Sequence, residues 1–175
     1  MKVSYYVTKE FLGPVVQDFF EDEIAPMMKE HGVKNAAVCV AIRAHDLSFD
    51  DCVVCEYSRN VDEAAEFNGP ENRIARSKAE ISWRTGLTTR DVVSNHPEYL
   101  REGDAIYPGS TVQNGLIVAI SGFPPDQWDE ALSMKLAGEI WGRVMDMFLE
   151  ERKQMLQKGE HFLPKLFSYR DDSRA

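Results

Sequence analysis

The sequence is poor in cysteine, in positive charge and in long apolar runs, and each shortage excludes something. The three cysteines, Cys39, Cys52 and Cys55, are an odd number and give no disulfide framework. No stretch approaches the roughly 18 apolar residues of a membrane span, and the opening "MKVSYYVTKEF" lacks the apolar run of a signal peptide. A reducing cytoplasm, away from the membrane, is the expected setting. Asp and Glu number 29 against 20 Lys and Arg, for a formal net charge of −9. That balance disfavours nucleic acid or an anionic membrane as the main partner, because both need a basic face. Catalytic signatures are missing too: there is no glycine-rich dinucleotide fingerprint and no phosphate loop. "AISGF" (Ala119–Phe123) lacks the glycine two before the serine that a nucleophile elbow requires. His31, His45, His96 and His161 fall in different elements with no metal-ligand spacing, although one alone could serve as an axial haem ligand.

What is present suits one domain with a real core: 175 residues, 43% hydrophobic and 28% charged. Residues 1–158 are expected to form it, followed by a tail over 159–175. In "PVVQDFFEDEIAPMMKEH" the apolar positions Val16, Phe20, Ile24 and Met27/Met28 predict a helix over 14–31. Pro14 suits its first turn, Pro26 a kink and Gly32 its stop. "KNAAVCVAIRA" from Lys34 reads as a strand covered on both faces, and "CVVCEYS" from Cys52 as its hairpin partner. A polar loop leads through Gly69 to a helix from Pro70 to Gly86, and Thr88 or Thr89 can cap a shorter one ending before Pro97. Two strands flank Asn114-Gly115, a strong hairpin signal. Leu132, Leu136, Ile140, Val144 and Phe148 then recur every four residues in a helix from about Pro125 to Lys158. Short hairpins between strands imply a largely antiparallel sheet covered by helices, an α+β class.

Two constellations could carry function. Ser121-Gly122 ends a strand just ahead of the long helix, where proteins often hold a ligand. Asp126 can cap that helix, with Asp129 and Glu130 in its first turn, so acidic groups already occupy the positive end of the dipole. A phosphate is a poor fit there; the turn either only turns the chain or offers a neutral rim. The other constellation is a basic island in an acidic chain, with Arg73, Arg76, Lys78, Arg84 and Arg90 on or beside the Pro70–Gly86 helix. Arg76, Glu80 and Arg84, four apart, could simply pair on a solvated face. Lys78 lies on a different face, and an inward lysine needs either a carboxylate or a ligand. "CVVC" is read as structural: residues three apart in a strand point to opposite faces and cannot share one metal without a bulge.

Three stretches resemble the GlcG/HbpS-like family of haem-degrading and haem-binding-like proteins, which includes the PduO C-terminal domain. They are "RIARSKAEISWRTGLTT", "YPGSTVQNGLIVAISG" and "QWDEALSMKLAGEI", within a likeness covering about residues 14–150. The resemblance implies a profilin-like α/β fold, with a five-stranded antiparallel sheet between helices, and assembly into homo-oligomers. It implies a small accessory protein of a catabolic pathway that binds haem, a related tetrapyrrole or a small organic acid. Lys78, Ala79, Pro108, Gly109, Ser121 and Gly122 match family positions and are pocket candidates by likeness. Two departures count: "RAHDLSFDD" carries no glycine where relatives show an Asp-x-x-Gly turn, and no histidine precedes His31 on the first helix. No haem ligand is therefore carried over.

The leading expectation is an anionic small molecule held between the Pro70–Gly86 helix and the Tyr107–Gly109 turn. Lys78 and Arg84 would neutralise it, and Tyr107 and Phe123 would form apolar walls. One rival is proton-transfer catalysis on a small organic acid or aromatic-pathway intermediate, by Asp46 or Asp104 beside Lys78. The other is a structural oligomer subunit docking through Phe162–Tyr169.

Overall fold

The computed structural model of the chain describes residues 6–44, 46–60 and 69–159. The loop after the second strand, His45, His161 and the aromatic strip Phe162–Tyr169 lie outside them. The first helix starts earlier than its apolar stripe suggests. α1 spans Lys9–Phe19, and Thr8 caps it by accepting the Phe11 N–H at 3.3 Å, so Pro14 sits inside the helix. A π-helical turn, Phe20–Ile24, passes into α2, Ala25–His31. That turn falls just before Pro26, which has no N–H to continue the α ladder. Gly32 stops α2 with a left-handed φ of 67°.

β1 (Asn35–Ile42) is followed by α3 (Phe49–Cys52), a single turn capped by Ser48, and then by β2 (Val53–Asn60). The connection expected as a plain turn thus holds a helical turn, and Cys52 belongs to it, not to the strand. α4 (Pro70–Thr85) and α5 (Thr89–Asn95) follow, stopped by Gly86 and capped by Thr88 respectively. β3 (Ser110–Gln113) and β4 (Leu116–Ser121) join through Asn114-Gly115, both at positive φ, the backbone a two-residue hairpin turn requires. α6 runs from Gln127 to Gln157.

The strands form one antiparallel sheet in the order β2-β1-β4-β3. Among the described residues it has four strands; the stretch from Arg101 to Gly109 runs as turns and bends, with Gly103 and Gly109 at positive φ. Alternation along β1 and β4 divides the core into two layers. Ala36, Val38, Val40, Leu116, Val118 and Ile120 face α1, α2 and α6, while Ala37, Cys39, Ala41, Ile117 and Ala119 face α4. On the α4 side small side chains meet Ala75 and Ala79, so this helix lies close on the sheet. The other layer is built from large side chains such as Phe19, Phe20 and Ile140, each worth about 1.5–3 kcal/mol when fully buried.

Candidate functional site

Lys78 is turned inward from α4 and is 1% exposed. Its amine points toward the Pro108-Gly109 bend, and there it meets a carboxylate of its own chain. The ammonium donates to Asp129 Oδ2 at 2.8 Å and to the Ile120 carbonyl at 3.0 Å. The other Asp129 oxygen accepts the Phe123 N–H at 3.1 Å, and Ser133 Oγ donates to the Gly109 carbonyl at 2.8 Å. One knot therefore ties α4, the start of β3, the end of β4 and the head of α6. Burial pushes the Asp129 carboxyl above its ordinary range, with Lys78 opposing.

This knot also fixes the glycines. A Cβ on Gly109 would stand 2.6 Å from Lys78 Nζ and 2.8 Å from the Ile120 carbonyl oxygen. On Gly122 it would stand 2.6 Å from the Asn35 carbonyl oxygen. Ser121 is buried opposite Ala37 in the sheet, and Phe123 lies in the core next to α6. The Ser121–Phe123 turn is thus packed against β1 and α6. Asp126 occupies the cap position of α6 without a capping hydrogen bond, and Asp129 reaches back to the chain before the helix instead.

Of the candidate residues, the structure gathers Lys78, Gly109 and the Ser121–Phe123 turn into this solid frame, and places Tyr107 and Arg84 beside a cleft. The cleft, about 390 Å³, lies between the first half of α4 and the loop from Gly103 to Tyr107. Arg73, Ile74 and Ser77 form its helix wall, with Ile106 and Tyr107 opposite. Ser77 Oγ accepts the Ala105 N–H at 2.9 Å, pinning the loop to the helix. A second pin is the ion pair of Arg84 with Asp104, whose carboxylate also accepts the Arg101 N–H at 2.7 Å. Arg84 Nε and Nη1 are buried with no hydrogen-bond partner among the described residues. Asp104 lines the cleft while its charge is matched by Arg84.

Arg73 differs from its basic neighbours. Arg76 pairs with Asp50 and Glu56, Arg84 with Asp104, and Arg90 with Glu130. The four-apart pairing of Arg76, Glu80 and Arg84 on one face is therefore replaced by partners from other elements. Arg73 alone of this island makes no ion pair among the described residues, and it stands at the cleft. In the sequence Arg73 is one arginine of the island, because nothing local shows which of them lacks a partner. Asp129 reads there only as a dipole partner, and the one signal toward it is the inward lysine, which needs either a carboxylate or a ligand.

An acid–base pair of Lys78 with Asp104 is not formed, since each is held by another residue; Asp46 is exposed in the turn after β1. Of the axial donors that hold haem iron, the cleft's described residues offer the phenol of Tyr107 and no imidazole, thiol or thioether. His31 packs edge-on against Trp128 and His96 stacks on Tyr99, both away from the cleft. No family model matches the chain, and neither do curated proteins or solved structures. No helix among the described residues is long and apolar enough to cross a membrane.

Proposed function

We propose that the protein is a small-molecule-binding accessory protein that takes a carboxylate-bearing ligand in the cleft between α4 and the Gly103–Tyr107 loop. The observation that carries this is Arg73: a guanidinium without an ion-pair partner among the described residues, at the mouth of a ligand-sized hollow, in a chain of net charge −9. A guanidinium matches a carboxylate with two parallel N–H donors. Ser77, whose oxygen already accepts the Ala105 N–H, has its hydroxyl hydrogen to donate, and Ile106 and Tyr107 supply apolar cover. Arg84 holds the far end of the loop through Asp104 and offsets that carboxylate's charge beside the cleft. Lys78 belongs to the frame: paired with Asp129, it holds the Gly109 bend from which the loop departs.

The same carboxylate chemistry belongs to a small hydroxy acid and to a tetrapyrrole propionate. In the second case Arg73 would hold the propionate, and Tyr107 would be the residue that holds the iron. A profilin-like arrangement and membership of the GlcG/HbpS-like class agree with helices on both faces of an antiparallel sheet, and a role beside a cytoplasmic catabolic pathway goes with them.

Calorimetric titration with glycolate, lactate, their amides and haemin tests this, with absorption spectra recorded for the last. Arg73→Gln should weaken binding of the acids about ten- to a hundredfold, the worth of a charge-assisted pair. The amides should bind no better to the parent than to the variant. Unchanged affinity in Arg73→Gln, or no saturable binding of any carboxylate, contradicts the proposal.

A further inference from the structure

The long helix carries apolar residues on two opposite faces, and the core uses one of them. The last fully buried residue of α6 is Val144, yet the helix continues to Gln157, about 20 Å further. Phe148 packs partly against the core, and the Tyr6 hydroxyl donates to Glu151. Five of the eight large apolar side chains exposed among the described residues lie on α6: Met134, Met145, Met147, Leu149 and Leu156. Leu149 and Leu156 are 50% and 60% exposed.

Their spacing is specific. Gly142, Met145, Leu149, Arg152 and Leu156 alternate steps of three and four, the 3.5-residue repeat of a helix seam that packs against another helix. At 100° per residue this seam points away from Ile140 and Val144, so it faces outward along the whole overhang. Arg152 in the seam and Asp146 on its flank, both exposed, make no ion pair among the described residues. Lys153 has one contact, to Glu150 at 3.8 Å, with both side chains more than half exposed.

From this we infer that a second copy of the chain covers the seam, its α6 running antiparallel. Charge decides the direction. Alignment in parallel sets Arg152 against Arg152 in the seam and leaves the Asp146 and Lys153 of the two copies on opposite flanks, unable to pair. Antiparallel overlap of the two projecting ends sets Asp146 against Lys153 of the second copy, twice by symmetry, with Met145 against Leu156. Leu149 then lies under the aliphatic stem of Arg152. Small Gly142 falls opposite the helix terminus, so the overlap stops where the two sheets begin, and the bodies sit at opposite ends. The seam is shorter than a standard interface, and small interfaces belong to weak, transient association, so the micromolar range is the one to search. This inference is independent of the ligand proposal.

Sedimentation velocity on the full chain, over a concentration series spanning the micromolar range, tests it. The parent should pass from monomer to dimer. Asp146→Lys alone and Lys153→Asp alone should each weaken association about tenfold or more, since each sets like charges face to face. The double exchange Asp146→Lys with Lys153→Asp should restore it, an outcome that a loss of folding cannot imitate. Mixing full-length Met145→Cys protein with full-length Leu156→Cys protein under mild oxidation should give the mixed disulfide in preference to either homodimer. A chain monomeric at every concentration, a double exchange that fails to restore, or preferred Met145→Cys homodimers overturns the inference. A seam covered by the chain's own tail or by a different protein would show as the first of these.

Discussion

Lys78 and Asp129, from the helices on opposite faces of the sheet, meet inside the protein at 2.8 Å, with side chains 1% and 3% exposed. Each ion is expensive to bury alone and tolerable with the other, so the pair sets where α4 and α6 stand relative to the Gly109 bend. Removing one partner leaves an uncompensated buried charge. Lys78→Ala and Asp129→Ala should each cost about 3–5 kcal/mol in urea unfolding, whereas Lys78→Met with Asp129→Leu should cost far less than the sum. Additive single effects contradict the pairing.

The Gly109 bend should tolerate no side chain. Its φ of 138° and the 2.6 Å approach of Lys78 Nζ leave no room for a Cβ, and the backbone oxygen of Ile120 cannot move aside. Gly109→Ala should therefore destabilise by about 2 kcal/mol or more. Gly138, inside α6 with nothing within 4 Å of a Cβ, makes the control. Gly138→Ala should stabilise by about 0.5–1 kcal/mol, through helix propensity alone. Equal effects at the two sites, read by thermal unfolding, would refute the steric argument.

How much of this the sequence discloses follows the range of the forces involved. α4 and α6, the Gly32 and Gly86 stops and the Asn114-Gly115 turn rest on residues a few positions apart, and they are legible. The early start of α1 depends on the Thr8 cap, a single hydroxyl ahead of the apolar stripe, and Ser48 starts α3 inside what reads as a plain turn. The site is less legible than the fold. That Lys78 turns inward follows from helix geometry, but its choice of Asp129 over Asp104 depends on how two layers stack. Arg73 stands out only after Arg76, Arg84 and Arg90 have found partners in α3, β2, the loop before β3 and α6.

The cysteines should be silent in the folded protein and should matter only at high pH. Burial pushes the Cys55 thiol up to about 11 from 9.0, and Cys39 is raised further by the same cause. A thiol with a raised folded value keeps its proton after the unfolded chain has lost its own. Its contribution is complete below about pH 9 and drains away toward pH 11 for Cys55. Stability should fall across that window, and Cys55→Ala should flatten the slope. Thiol reagents at neutral pH should label none of the three without denaturant, since all are buried. Rapid labelling of the native chain contradicts their placement.

A carboxylate should settle in the hollow beside Arg73. The most direct measurement is amide chemical-shift mapping on the full chain during a titration with a small hydroxy acid. Saturable shifts should centre on Arg73, Ser77, Ala105 and Tyr107, and should leave the more apolar groove around Trp128 and Met27 unmoved. Shifts that saturate at Trp128, or none at the loop from Gly103 to Tyr107 at millimolar acid, would contradict the account.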